Sequence, residues 1–129
     1  MHSGPESGRH GFDIDVSPHD LEATYLPAFR AAITAGHAGS VMCAYNALHG
    51  PPVCAERWLL TTLLRKDWGF KGFVVSDCDA VDDMTRFHYF KPDNAQSSAA
   101  SIIAGTDLDC GHAYADLLEA VHKGHVQEQ

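Results

Sequence analysis

The sequence predicts an α/β fold with parallel strands of the barrel type. Helical and strand-like segments alternate along the chain, an order typical of parallel sheets with right-handed crossovers. The strand-like segments are short apolar runs, as expected for strands covered on both faces. Gly36–Gly39 and Gly69–Gly72 lack the spacing of a dinucleotide fingerprint or a P-loop, which disfavours a Rossmann fold. With 129 residues, the chain is too short for a complete (β/α)₈ barrel of about 250 residues.

The first helix is predicted to begin at Pro18. Ser17 suits the N-cap, Pro18 suits the first helical position, and Asp20 places negative charge in the first turn. Apolar residues then recur at spacings of three and four, which defines one apolar helix face. Pro27 lies inside this pattern and predicts a kink or a local break. Gly36 is expected to stop the helix.

Three strands and three further helices are predicted downstream. The strands are expected at residues 40–45, 72–76 and 106–109. The helices are expected at residues 55–66, 94–104 and 114–123. Residues 78–89 are polar and are interpreted as irregular. The domain organisation is therefore predicted as a loop over 1–16, a βα core over 17–112, and a closing helix and tail over 113–129.

Composition and charge exclude several classes of protein. Nine basic and 17 acidic side chains give a formal net charge of −8, so we expect neither a nucleic-acid nor an anionic-membrane partner. Each apolar run is interrupted before it reaches the length of a transmembrane helix. The first residues contain no apolar h-region, so no signal peptide is predicted in this chain. The compartment stays open.

Cysteines and histidines give no metal-binding pattern. The four cysteines form no CxxC pair, and we interpret them as buried free thiols. A Cys43–Cys54 bridge across the following loop stays open for an exported protein. The nine histidines show no zinc spacing and are interpreted mostly as surface or loop residues. No cofactor is predicted.

Candidate chemistry lies at the carboxyl ends of the strands, where parallel α/β folds carry their sites. Asp77 directly follows an apolar strand, a position that suits a nucleophile, a base or a metal ligand. The same position suits an N-cap, and the residues alone leave the two roles open. Tyr45 ends the first predicted strand. It is either a candidate site residue or a core aromatic whose hydroxyl has a hydrogen-bond partner. Asp79, Asp82 and Asp83 are interpreted as a solvated acidic loop.

Four segments together resemble glycoside hydrolase family 3. Residues 69–80 (GFKGFVVSDCDA) resemble the segment around the family's nucleophile, and residues 20–29 (DLEATYLPAF) resemble its DLExTYLPAF helix. Residues 40–46 (SVMCAYN), followed by GPP at 50–52, are similar to its VMxxYNxxxGxP strand and loop. Residues 105–111 (GTDLDCG) are similar to its GTDLDCG strand. The four segments follow the family's order and spacing over nearly the whole chain.

The resemblance implies a fold and an activity. The fold would be part of a (β/α)₈ TIM barrel, about the last three strands and four helices. The activity would be retaining hydrolysis of β-glycosidic bonds in oligosaccharides or aryl β-glycosides, with Asp77 as nucleophile and Tyr45 lining the sugar site. Cys78 stands where many family β-glucosidases have Trp. Together with the stretch His2–Glu6, Cys78 is similar to the β-xylosidase-like branch, and Glu6 is a further candidate at the sugar site.

The chain also departs from the family's pattern. The Lys-His pair, the first strands and the general acid/base have no counterpart, so the missing strands and a second domain are the expected partners. A retaining glycosidase needs two carboxyl groups about 5–5.5 Å apart, and we expect the isolated chain to be inactive. Three alternatives stay open: a non-catalytic carbohydrate-binding remnant, a structural fragment that associates with other copies, and a metal-dependent barrel hydrolase. The metal ligands in the hydrolase would be Asp77, Asp107, Asp109 and a histidine.

Overall fold

The structure is a computed structural model and describes residues 6–128. Its strands are β1 (Asp13–Ile14), β2 (Ser40–Cys43), β3 (Ala47–Leu48) and β4 (Phe73–Ser76). Strands β2 and β4 pair in parallel over four residues each, and β1 pairs in parallel with β3. The predicted α/β class with parallel strands is confirmed. The predicted strand at 106–109 is reduced to one parallel bridge between Val75 and Leu108.

The first helix has the start and the break that the sequence predicts. It consists of α1 (Pro18–Asp20), a π-helical segment (Leu21–Tyr25) and α2 (Leu26–Thr34). The hydroxyl of Ser17 accepts a hydrogen bond from the backbone N–H of Asp20 at 3.1 Å. The backbone N–H of Leu26 donates to Leu21, five residues back, and α2 begins at this point. Pro27 has no N–H to donate, so the change of helix type beside it has a physical cause.

The later helices are a π-helix (Trp58–Asp67), α3 (Ala80–Arg86), α4 (Asn94–Ala104) and α5 (Leu117–His122). Helix α4 has the predicted bounds, with Asp93 as N-cap and Gly105 at a φ of 115° as C-cap. Helix α3 lies where irregular structure is predicted, so that interpretation is wrong. Segment 1–16, predicted as a loop, contains β1 and a 3₁₀ turn (Glu6–Gly8). Within residues 6–128, no helix is long and apolar enough to span a membrane.

The main core lies between one face of the β2–β4 pair and the helices. Cys43, Val74 and Ser76 on this face are at most 1% exposed. The opposite face is open, because Met42 is 56% and Phe73 is 48% exposed. The prediction that both faces are covered is therefore wrong for the described residues, which supply helices to one side only.

The cysteines form two disulfides, Cys43–Cys54 and Cys78–Cys110. The interpretation of buried free thiols is wrong, and the Cys43–Cys54 bridge that the sequence left open is present. Cys43 and Cys54 are buried beside the end of β2. Their Cα atoms are 5.1 Å apart, within the usual range for bridged cysteines. Those of Cys78 and Cys110 are 4.3 Å apart, at the short end of that range. The second bridge joins segments 32 positions apart, which sequence spacing does not indicate.

Candidate active site

Asp77 is the first residue after β4 and lies at the carboxyl end of the parallel pair. Its backbone N–H donates to the carbonyl of Cys43 at 2.9 Å, which extends the ladder by one step. Its Oδ1 accepts from the backbone N–H of Cys78 at 2.8 Å. The N-cap residue of α3 is Asp79, in the left-handed region at a φ of 67°, and its side chain makes no cap hydrogen bond. The carboxylate of Asp77 therefore belongs to the strand end rather than to the start of the helix.

Tyr45 lies beside Asp77, as the sequence predicts for two neighbouring strand ends. Its hydroxyl donates to the carbonyl of Cys78 at 2.8 Å. The pKa of Tyr45 is raised, first by burial and then by the negative charge of Asp77 and a hydrogen bond to it, while the charge of Arg9 opposes the rise. The phenol therefore stays protonated near neutral pH and can act as a hydrogen-bond donor beside the carboxylate.

Arg9 and His10 adjoin Tyr45 and Asp83 contacts His10, and the sequence patterns predict none of these contacts. The guanidinium of Arg9 is 5.5 Å from the centre of the Tyr45 ring, and the His10 ring is 4.6 Å from it. His10 Nδ1 is 2.6 Å from Asp83 Oδ2. His88 binds the carbonyl of Tyr45 through Nε2 at 2.7 Å. The sequence contains no local signal for His10, because its partner lies 73 positions away.

The acidic residues after Asp77 do not form a solvated loop, so that interpretation is wrong for two of them. Asp82 is 9% and Asp83 is 3% exposed, both on α3. Asp82 accepts from Asn94 at 2.6 Å and pairs with Arg86 at 2.8 Å. Burial raises the pKa of Asp83, and the His10 imidazole opposes that rise. The apolar spacing of residues 80, 81 and 84 is the signal that could have predicted this helix.

Glu6 is exposed and pairs with Arg9. Arg9 in turn lies over Tyr45, so Glu6 is one side chain removed from the Tyr45 ring. A role for Glu6 in sugar binding stays a prediction. Residues His2–Pro5 of the β-xylosidase-like stretch lie outside the described residues.

Asp107 and Asp109, two of the metal ligands expected for a metal-dependent hydrolase, accept hydrogen bonds from groups of the protein. Asp107 Oδ2 accepts from the backbone N–H of Val74 at 2.7 Å and pairs with Arg65. The two oxygens of Asp109 accept from Ser76 Oγ at 3.0 Å and from a backbone N–H at 3.2 Å. Over residues 6–128, no three His, Cys, Asp or Glu side chains are grouped to hold a metal ion. Both carboxylates instead attach the 106–109 segment to β4.

The Cys78–Cys110 bridge holds the Asp77 loop against the 108–111 segment. The backbone N–H of Asp79 also donates to the carbonyl of Cys110 at 2.6 Å. A Cβ atom at Gly111 would be 3.2 Å from the backbone nitrogen of Asp79 and 3.3 Å from its Cα, so the close approach of the two backbones favours glycine there. The bridge, this hydrogen bond and the glycine together fix the backbone on one side of the candidate nucleophile.

Comparisons with known proteins agree on one family. The family model described as the glycosyl hydrolase family 3 N terminal domain matches residues 1–129. A xylan 1,4-β-xylosidase from Xylanibacter ruminicola is 42% identical over 132 residues, covering 100% of this chain and 15% of that protein. The chain thus spans about 16% of the length of the curated relatives that it matches.

Two solved structures show the same fold. The exo-β-xylosidase XlnD, in complex with a xylobiose aziridine activity-based probe, superposes with a TM-score of 0.90 at 38% identity. The match covers 92% of this chain and 16% of XlnD. The β-glucosidase EmGH1 from Erythrobacter marinus superposes with a TM-score of 0.85 at 31% identity, covering 95% of this chain and 16% of that one.

Proposed function

The chain belongs to glycosyl hydrolase family 3, as part of the family's N-terminal barrel domain, and from this membership we propose that it supplies the nucleophile, Asp77, of a retaining β-glycosidase. The observation that carries the proposal is the position of Asp77. Its carboxylate lies at the carboxyl end of a parallel strand, beside the protonated phenol of Tyr45. Sites of α/β barrels form at this end of the strands.

The chemistry follows from a carboxylate at that position. Asp77 attacks the anomeric carbon, a covalent glycosyl–enzyme ester forms, and the bond to the leaving-group oxygen breaks. Water then cleaves the ester, which releases the sugar with retained configuration and regenerates the Asp77 carboxylate. An acid in the complete enzyme protonates the leaving group and later removes a proton from the water. The Tyr45 hydroxyl donates its one proton to the carbonyl of Cys78, which holds the phenol beside the reacting carboxylate.

We propose β-xylosides as the preferred substrates, ahead of β-glucosides. The β-xylosidase XlnD is more similar to this chain than the β-glucosidase EmGH1, at 38% against 31% identity. Cys78, directly after the nucleophile, also follows the β-xylosidase-like pattern. The Cys78–Cys110 bridge occupies the place beside Asp77 that a bulky Trp takes in many family β-glucosidases.

The partners of this chain are proposed to be the remaining barrel strands and a domain carrying the general acid/base. Met42, Phe73 and Leu108 support the first, because each is an apolar side chain about half exposed on the open face of the strands. The second follows from the chemistry, which requires a further carboxyl group about 5–5.5 Å from the nucleophile. We therefore propose that the 129-residue chain alone turns over no substrate.

Replacement of Asp77 in the full-length enzyme that carries this chain tests the nucleophile. Asp77→Asn should lower kcat on 4-nitrophenyl β-xyloside about a thousandfold or more, because an amide does not form the glycosyl ester. Asp79→Asn is the matched control: it makes the same change two residues away, at an exposed position with a positive φ that Asn tolerates. A xylobiose aziridine probe should label Asp77, as shown by peptide mass mapping. Turnover by Asp77→Asn close to that of the Asp79→Asn control would reject the assignment.

An activity assay of the isolated chain tests the proposed inactivity separately from the identity of the nucleophile. Purified 129-residue chain should hydrolyse neither 4-nitrophenyl β-xyloside nor 4-nitrophenyl β-glucoside above background. If it does hydrolyse them, and Asp77→Asn abolishes the activity, the proposed inactivity is wrong while the nucleophile is supported. Labelling of the assembled enzyme by the aziridine probe distinguishes an active site from a carbohydrate-binding remnant, which would not react.

A further inference from the structure

We propose that His10 and Asp83 form a positioning pair that holds the guanidinium of Arg9 against the Tyr45 ring, next to the nucleophile. The proposal rests on the proposed function above and deepens it. It concerns three side chains that come from distant parts of the chain: Arg9 and His10 from the N-terminal segment, and Asp83 from α3. Neither His10 nor Asp83 is proposed to touch the reacting atoms.

Asp83 is the anchor of the pair because its carboxylate is buried. Its side chain is 4% exposed, whereas that of His10 is 36% exposed. A buried carboxylate requires hydrogen-bond donors, and His10 Nδ1 lies 2.6 Å from Asp83 Oδ2. Because helix α3 fixes the position of Asp83, the carboxylate of Asp83 positions the imidazole of His10, and the imidazole does not position the carboxylate.

The two nitrogens of His10 face groups that select one tautomer. Nδ1 faces the carboxylate and must donate when Asp83 is ionised, since a carboxylate only accepts. Nε2 accepts from Arg9 Nε at 3.3 Å. A neutral imidazole with its proton on Nδ1 satisfies both contacts, and Asp83 holds it in that form. Two hydrogen bonds therefore connect the buried carboxylate of Asp83 to the imidazole of His10 and the imidazole to the guanidinium of Arg9.

Aromatic contacts hold the imidazole plane. The His10 ring lies 4.6 Å from the Tyr45 ring and 5.3 Å from the Phe87 ring, measured between centroids. The Arg9 guanidinium lies 5.5 Å from the centre of the Tyr45 ring, within the range of a cation–π contact. His88, just beyond α3, binds the carbonyl of Tyr45 at 2.7 Å. One region of the structure thus fixes both the cation and the aromatic ring beside Asp77.

The test compares two neighbouring acids of α3 in the full-length enzyme. Asp83→Asn keeps the shape but removes the charge that selects the His10 tautomer. Asp82→Asn is the matched control, because it makes the same change at a buried position that contacts Arg86 and Asn94 rather than His10. Rates are measured on 4-nitrophenyl β-xyloside, or on the β-glucoside if wild-type enzyme prefers it. They are normalised to active sites titrated with the xylobiose aziridine probe.

Normalisation to active sites separates positioning from stability. Asp83→Asn should lower kcat/KM per titrated site about tenfold or more, since misplacement by 1 Å can reduce rates about a hundredfold. Asp82→Asn should stay within about twofold of wild type. If Asp83 only stabilises the fold, Asp83→Asn should reduce the fraction of titratable sites and leave kcat/KM per site unchanged, and this outcome would overturn the proposal.

A double-mutant cycle with Arg9 tests whether Asp83 acts through the guanidinium. In an Arg9→Ala background, Asp83→Asn should change kcat/KM by no more than about twofold. Effects of the two substitutions that multiply would overturn the proposal. If Asp83→Asn does not fold, His10→Ala in the same cycle gives the same two outcomes. Full activity of Asp77→Asn would reject the proposed function, whereas normal kinetics of Asp83→Asn beside an inactive Asp77→Asn would reject only the positioning pair.

Discussion

Opening the Cys78–Cys110 bridge should destabilise the chain more than opening the buried Cys43–Cys54 bridge. The perturbation is the double variant Cys78→Ala/Cys110→Ala, compared with Cys43→Ala/Cys54→Ala, because serine would place unpaired hydroxyl groups at the buried positions 43 and 54. A disulfide restricts the unfolded chain, and the restriction grows with the length of the loop it closes. The two bridges close loops with sequence separations of 32 and 11.

Loop-closure entropy gives the size of each effect. It predicts a loss of about 3.7 kcal/mol for the separation of 32 and about 2.8 kcal/mol for the separation of 11. For a chain of this size, the larger loss lowers Tm by roughly 10–15 °C. Cys78 is exposed whereas Cys43 and Cys54 are buried, so a mild reductant should open the Cys78–Cys110 bridge first.

The assays are thiol counting and urea unfolding of the purified chain. Without reductant, the denatured chain should show no reactive thiols. A low concentration of reductant, applied under native conditions, should expose two thiols that peptide mapping assigns to Cys78 and Cys110. Four reactive thiols in the unreduced denatured chain would refute both bridges. Equal or reversed losses of unfolding free energy in the two double variants would refute the loop-length reasoning.

Three other predictions concern the frame around the site. Met84 on α3 is fully buried, and Met84→Ala should lower the unfolding free energy by about 3 kcal/mol in urea titration. A loss below about 1 kcal/mol would contradict its place in the core. Asp107→Asn weakens the half-exposed ion pair with Arg65 and the hydrogen bond from the backbone N–H of Val74 in β4. It should lower the unfolding free energy by about 1–2 kcal/mol. Glu119→Gln, which removes the charge from an exposed pair with Lys123, should leave the urea midpoint unchanged. Similar losses of unfolding free energy in Asp107→Asn and Glu119→Gln would contradict the larger effect expected for Asp107→Asn. The backbone hydrogen bond from α4 lowers the pKa of Asp93 below its usual 3.8, so its cap stabilises the fold above that pH and the contribution disappears as pH falls through the lowered pKa. The circular-dichroism unfolding curves of wild type and Asp93→Ala should therefore converge in acid, and a constant gap down to pH 2 would disprove the assignment.

Elements set by short-range interactions were predictable from the sequence. The Ser17–Pro18 start, the break beside Pro27 and the bounds of α4 each depend on residues within about one helical turn. The placement of Asp77 at the end of a strand and near Tyr45 also followed, because parallel strands present their carboxyl ends at one edge. The helix features depend on local backbone geometry, whereas the proximity of Asp77 and Tyr45 depends on the general rule that parallel strands align their carboxyl ends.

The surroundings of Asp77 were decided by the tertiary structure. The burial of Asp82 and Asp83, the His10–Asp83 contact across 73 positions and the Cys78–Cys110 bridge across 32 depend on which distant segments pack together. A carboxylate in a polar run has the same local sequence whether it faces water or a histidine. Only packing determines its desolvation and its donors. The sequence by itself determined the α/β class with parallel strands and the candidate nucleophile, whereas helix α3 and the partners that position the groups around that nucleophile required the folded chain.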